Sequence, residues 1–123
     1  MEINYGGIIP FSTVDYPGKV AATIFLAGCH VGCPRCHNKH LWDKINMVDI
    51  KEIKKIIDLS KENHIEAIVI SGGEPLEQLD GIIELAKYIR SLGMKTGLHT
   101  SGEGNLIKAI EYFDFILLNT RRD

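Results

Sequence analysis

The chain has 123 residues, 45% of them hydrophobic and 24% charged, with a formal net charge of -2 at pH 7. This is an ordinary globular composition, and a domain of this length buries roughly two thirds of its unfolded surface, which argues against a disordered or fibrous chain. The balance is not basic enough for a nucleic-acid partner, and the longest apolar run, Val20 to Ala27, falls far short of the ~20 residues of a membrane helix. The start, Met1-Glu2-Ile3, has no basic region preceding an apolar one, so the expected location is the cytoplasm.

In chain order, the residues before Lys19 carry Gly6-Gly7, Pro10 and Asp15-Tyr-Pro-Gly18 and read as an extended entry followed by a turn. Lys19 to Leu26 is β-branched and aromatic, as expected of a strand buried on both faces. Ile50, Ile53, Ile56 and Ile57 recur at helical spacing between about Asp49 and Lys61, with Asp49 placed to cap the start. Ile65 to Ile70 reads as a second strand. Ser71-Gly-Gly-Glu-Pro75 then leads into a helix that turns Leu79, Ile82, Ile83, Ala86 and Ile89 inward and stops at Gly93. Met94 to Thr100 is a third strand, Asn105 to Phe113 a short helix and Phe115 to Leu118 a last strand.

Strands alternating with helices at this spacing imply parallel pairing. The expected fold is an α/β partial (β/α) barrel of parallel strands, about four βα units, forming one domain over residues 1–123. Apolar parallel strands expect cover on both faces, and the last strand should offer an unpaired edge. Self-association or a complementing chain would protect that edge.

In parallel sheets and barrels the reactive groups gather on the loops leaving the carboxyl ends of the strands. Three such loops carry Cys29 to Asn38, Ser71 to Pro75 and His99 to Gly104. The three cysteines of the chain all lie in the first, in the order Cys29, Cys33, Cys36, so a disulfide framework is excluded in practice. A C-x3-C-x2-C loop rich in Gly and Pro can curl three thiolates around one inorganic centre. One candidate is a four-iron, four-sulfur cubane, which usually takes four thiolates and here would leave one iron open. The other is a structural zinc with His37 or His40 as the fourth ligand.

The cysteine spacing, followed by His37-Asn38 and preceded by Gly7-Ile-Ile-Pro-Phe-Ser-Thr-Val-Asp-Tyr-Pro-Gly18, together with Ser71-Gly-Gly-Glu-Pro75, resembles the radical S-adenosylmethionine superfamily. The likeness runs from about Ile3 to the C-terminus. It is strongest to the activating enzymes of glycyl-radical proteins such as anaerobic ribonucleotide reductase and pyruvate formate-lyase. The resemblance implies a 4Fe-4S cluster on Cys29, Cys33 and Cys36, with S-adenosylmethionine bound at the open iron and cleaved to a 5'-deoxyadenosyl radical. It also implies an electron from flavodoxin or ferredoxin, and a glycyl-radical enzyme as the protein substrate, with no catalytic residue beyond the cluster. The alternative is a non-catalytic iron-sulfur or zinc binding fragment.

By the same resemblance, Arg35, Cys36 and His37 line the cofactor through their backbone, and the loop of Gly72, Gly73 and Glu74 holds its methionine amino group. A carboxylate accepts charge-assisted hydrogen bonds from an ammonium; a turn with a helix-capping Glu-Pro is the plainer reading of the same residues. Thr100 and Ser101 have hydroxyls to reach the ribose or the methionine carboxylate, while His99 reads equally well as a locally satisfied polar group. Asn119 and Arg121 stand where the family usually has an Asp-x-Lys pattern, and Arg35 where it commonly has an aromatic residue. The chain stops after the fourth expected strand, where the family usually has six, as in a compact member, a fragment or half of a split protein. His30, His40 and His64 read as surface or local polar residues, and Trp42 as packing for the cysteine loop.

Overall fold

The computed structural model describes residues 1–27, 46–102 and 104–118. The elements are β1 (Glu2–Ser12), β2 (Ala21–Leu26), β3 (Met47–Asp49), α1 (Ile50–Glu62), β4 (Ala67–Gly72), a 3-10 turn (Pro75–Gln78), α2 (Leu79–Ser91), β5 (Lys95–Thr100), α3 (Leu106–Ile110) and β6 (Phe115–Leu118). One six-stranded sheet orders them β3-β1-β2-β4-β5-β6. Strands β2, β4, β5 and β6 pair in parallel, as the alternation of strands and helices implies.

The sheet differs from the expected all-parallel partial barrel in two ways. It is open, and β1 and β3 add an antiparallel wing, with β1 pairing β2 on one side and β3 on the other. The supposed extended entry is therefore an 11-residue strand. Its Gly and Pro residues, which read as turn signals, coincide with irregular pairing: the register against β2 shifts between Tyr5 and Gly7 and again between Ile9 and Ser12. Gly7 takes a φ of 152°, and Pro10 lies within the second shift, the kind of position where a ladder tolerates a residue lacking N–H.

Helices α1, α2 and α3 contribute to one core against one face of the sheet. Ile53 and Ile57 of α1 and Ile82, Leu85, Ala86 and Ile89 of α2 bury against Ile24, Leu26, Ile68, Ile70 and Leu98. Asp49 caps α1 as expected, its carboxylate accepting the Lys51 N–H at 3.0 Å. Gly93, at a φ of 82°, follows the end of α2. On α2 the inward stripe is Gly81, Ile82, Leu85, Ala86 and Ile89, with Ile83 only half-buried. Gly81 faces β1, where an added Cβ would stand 2.9 Å from Ile3 Cδ1.

The opposite face of the sheet carries a smaller apolar cluster of Ala21, Ala67, Val69 and Tyr16, joined by Phe115. Tyr16 belongs to the stretch between β1 and β2, so that stretch folds over the sheet. Among the described residues β6 pairs with β5 alone. No helix among the described residues is long and apolar enough to cross a membrane.

Candidate functional site

Strands β2, β4 and β5 are adjacent and parallel, so the loops after them leave the same end of the sheet. The junction between β2 and β4 is tight. Leu26 pairs with Gly72, and the Gly73 N–H donates to Leu26 O at 2.9 Å. Gly72 sits at a φ of 116°, and a Cβ there would fall 2.2 Å from the same carbonyl oxygen. The close backbone approach that demands glycine at this position is therefore to the end of β2, three residues before Cys29.

Glu74 is 1% exposed, and its carboxylate joins the loop after β4 to the loop after β5. Oε2 accepts the Leu76 N–H at 2.9 Å and the Thr100 hydroxyl at 2.6 Å. Oε1 accepts the Ser101 N–H at 3.0 Å and the Ser101 hydroxyl at 2.5 Å. A carboxylate offers about four lone-pair sites, and four donors of this chain meet them. Thr100 Oγ1 also accepts the Gly102 N–H at 3.1 Å. Glu74, Thr100 and Ser101, three of the expected cofactor contacts, are thus brought together by bonding one another, with Glu74 also capping the 3-10 turn.

His99 is bonded within the fold: its Nε2 lies 3.0 Å from Asp15 O, and its ring meets Phe115 edge-on at 6.5 Å. Asp15 in turn accepts the Thr23 hydroxyl on Oδ2 at 2.6 Å, and the Tyr16 ring lies 5.4 Å from Phe115. Burial pushes the Tyr16 hydroxyl above its ordinary range, with the nearby Asp114 charge adding to the rise. The stretch around Asp15 and Tyr16 is therefore fastened to β2, β5 and β6 beside the site. From sequence this stretch reads as a turn, with no role for Asp15, Tyr16 or Thr23; the signal available is the Asp-Tyr-Pro-Gly run, which lies in the segment that carries the family likeness.

Cys29, Cys33, Arg35, Cys36, His37, Asn119 and Arg121 lie outside the described residues, as do His30, His40 and Trp42. Among the described residues no group of three or more His, Cys, Asp or Glu side chains is placed to hold a metal ion. The donor set fits an iron-sulfur cluster by its chemistry, because thiolates are the ligands such clusters take.

Residues 14–114, which include the three cysteines, Glu74, Thr100 and Ser101, match a protein-family model described as a 4Fe-4S single cluster domain. A Methanocaldococcus jannaschii protein whose name places it with the glycyl-radical enzyme activating enzymes is 42% identical over 103 residues, covering 83% of this chain and 42% of that one. The pyruvate formate-lyase-activating enzyme of Clostridium pasteurianum is 30% identical over 118 residues, covering 88% of this chain and 48% of that one. A 7-carboxy-7-deazaguanine synthase of Hyperthermus butylicus is 28% identical over 87 residues, covering 71% and 37%. The solved structure of QueE from Escherichia coli superposes with a TM-score of 0.65 at 22% identity, covering 84% of this chain and 53% of that one, which is a likeness of fold. The chain thus spans about half or less of the length of these proteins.

Proposed function

The chain belongs to the family of 4Fe-4S single cluster domains, radical S-adenosylmethionine proteins whose cofactors are that cluster and S-adenosylmethionine, and from this we propose that it activates a glycyl-radical enzyme. When bound, the cluster supplies one electron, delivered by flavodoxin or ferredoxin, that splits S-adenosylmethionine into methionine and a 5'-deoxyadenosyl radical able to take hydrogen from a glycine Cα. Cys29, Cys33 and Cys36 hold three of the irons. The backbone of Arg35, Cys36 and His37, the loop of Gly72, Gly73 and Glu74, the Thr100 and Ser101 hydroxyls, and Asn119 with Arg121 are the contacts we assign to S-adenosylmethionine. Glu74 contributes by fixing Thr100 and Ser101 against the Gly-Gly loop.

The observation that carries this reading is the Gly73 N–H bond to Leu26 O, which joins the Gly-Gly-Glu loop to the strand from which the cysteine segment departs. The percent identity to named activating enzymes favours a glycine of a partner protein as the hydrogen source. The likeness to 7-carboxy-7-deazaguanine synthase supports a second reading, in which the hydrogen comes from a small molecule. We place the protein in the cytoplasm, as one domain that self-associates or takes a complementing chain.

Anaerobic reconstitution tests the proposal. We expect about four iron and four sulfide per chain, production of 5'-deoxyadenosine under reducing conditions, and a glycyl-radical electron paramagnetic resonance signal when a glycyl-radical enzyme is added. One zinc and no iron would overturn it, and deoxyadenosine without any glycyl signal would favour the small-molecule reading.

A further inference from the structure

We infer that Gln78 is a positioning residue that sets the exit of the cysteine-bearing segment relative to the Gly-Gly-Glu loop. The inference rests on the reading that Cys29, Cys33 and Cys36 hold the cluster. Gln78 ends the 3-10 turn that Glu74 caps, and all of its amide hydrogen-bonding groups are engaged. Its Oε1 accepts the Asn4 N–H at 2.6 Å, while its Nε2 donates to Asn4 O at 3.2 Å and to Ala27 O at 3.3 Å. The Ala27 N–H donates to the same Asn4 carbonyl at 2.9 Å.

These four bonds describe a side-chain amide inserted into the antiparallel pair of β1 and β2. Regular pairing here would let the Asn4 N–H bond the Ala27 carbonyl. Instead both groups bond Gln78 while the Ala27 N–H keeps its direct bond to Asn4 O, so one of the two bonds of this pair is replaced by the amide where the chain leaves β2 for Cys29. The amide orientation is fixed by its neighbours, because an N–H needs the oxygen of Gln78 and two carbonyls need its nitrogen.

The other end of the same segment returns to the same place. Asn46 is the first described residue after it. Its N–H donates to Asn4 Oδ1 at 2.8 Å, its Nδ2 donates to Tyr5 O at 3.2 Å, and its carbonyl accepts the Tyr5 N–H at 3.1 Å. Ala27 and Asn46, the two chain positions flanking residues 28–45, are therefore both tied to Asn4-Tyr5. Gln78 connects that junction to the turn that follows Glu74. A displacement of one loop is passed to the other through an amide whose two N–H donors and oxygen are all bonded to the strands.

The test uses Gln78→Met, which keeps length without the bonds, and Gln78→Glu, which keeps an acceptor for Asn4 N–H but sets oxygen against two carbonyls. In the protein without cluster, hydrogen exchange at the Asn4 and Ala27 amides is expected to accelerate about tenfold in both variants, the effect of about one lost hydrogen bond. After reconstitution, iron content should equal that of the unaltered chain, while KM for S-adenosylmethionine rises about tenfold and the S-adenosylmethionine-induced change in the spectrum of the reduced cluster is altered. Asn46→Ala, which loosens the junction without touching the turn, should reproduce the faster exchange with a smaller change in KM.

Unchanged exchange and KM in both Gln78 variants would overturn the inference, and so would loss of iron in parallel with loss of affinity. Should the unaltered chain take up no iron-sulfur cluster, the functional reading falls, while the exchange measurement still decides whether Gln78 clamps the strands.

Discussion

The Thr100 hydroxyl donates to Glu74 Oε2 at 2.6 Å in a site where Glu74 is 1% exposed. Losing a hydrogen-bond donor to a buried carboxylate costs about 1–3 kcal/mol. Thr100→Val, which keeps shape, should lower stability to urea by that amount, since it also strips the Gly102 N–H of its acceptor. Exposed Ser91, whose hydroxyl bonds Tyr88 O on the outer end of α2, serves as a comparison; Ser91→Ala should cost well under 1 kcal/mol. Equal effects at both positions would contradict the assignment of Glu74 as the centre of the network.

Gly72 and Gly93 both have positive φ, at 116° and 82°, but differ in what surrounds them. At Gly93 an added Cβ meets nothing within 4 Å, so Gly93→Ala should cost only the backbone term of about 1 kcal/mol. At Gly72 the Cβ would overlap the Leu26 backbone at 2.2 Å, and neither backbone can move without breaking β2–β4 pairing. Gly72→Ala should therefore destabilise by more than about 3 kcal/mol, beyond the strain alone. Thermal denaturation of the two variants side by side checks the contrast.

Much of the parallel sheet was legible in the sequence, because the residues that make it also advertise it. Ile53 and Ile57 repeat at helical spacing behind a capping Asp49, and Ile68 to Ile70 form a short apolar run between breakers. The antiparallel wing was not legible, since Gly7 and Pro10 imitate turn signals while sitting at register shifts within β1. On α2 the helical spacing itself includes Leu85, which with Ile82, Ala86 and Ile89 makes the i, i+3, i+4, i+7 pattern, while Ile83 lies off that stripe and is only half-buried. The site residues Glu74, Thr100 and Ser101 could be named from their loops. Their mutual bonding could not, because it depends on β4 and β5 being neighbours. Gln78 carried no signal, being an ordinary polar residue until the exit of β2 is placed beside it.

Asp114 gives the fold a defined acid sensitivity. Burial pushes its carboxyl upward, but hydrogen bonds from Thr96 N and Oγ1 and the charges of Arg90 and Lys95 outweigh this and hold it below 3.8. A carboxylate with a depressed folded pKa stabilises the fold above its unfolded value, and that contribution is lost as pH falls through the folded one. Asp114 is exposed and solvent screens its charge, so the stability difference between the unaltered chain and Asp114→Asn should be at most about 1 kcal/mol at pH 7 and shrink steadily below pH 3.8. Urea titrations between pH 7 and pH 3 measure it; a difference that grows on acidification would reverse the sign of the argument.

The β6 edge carries the remaining expectation. Its outer backbone groups have no strand partner among the described residues, and Leu117 and Leu118 are 46% and 51% exposed. The parallel pairing of His99 with Leu117 and Thr100 with Leu118 puts these two leucines on opposite faces of the sheet, so the edge is apolar on both sides. Ile107 and Ile110 of the adjacent α3 are exposed as well. Sheets usually guard such an edge with charge, and a Lys on it discourages pairing with a second chain. The chain should therefore self-associate as its concentration rises, and Leu117→Lys combined with Leu118→Lys should shift it toward monomer without lowering its melting temperature by more than a few degrees. Size-exclusion chromatography with light scattering reads the first outcome and calorimetry the second. A chain that stays monomeric at high concentration with both leucines in place would show that this edge is protected by means other than a partner.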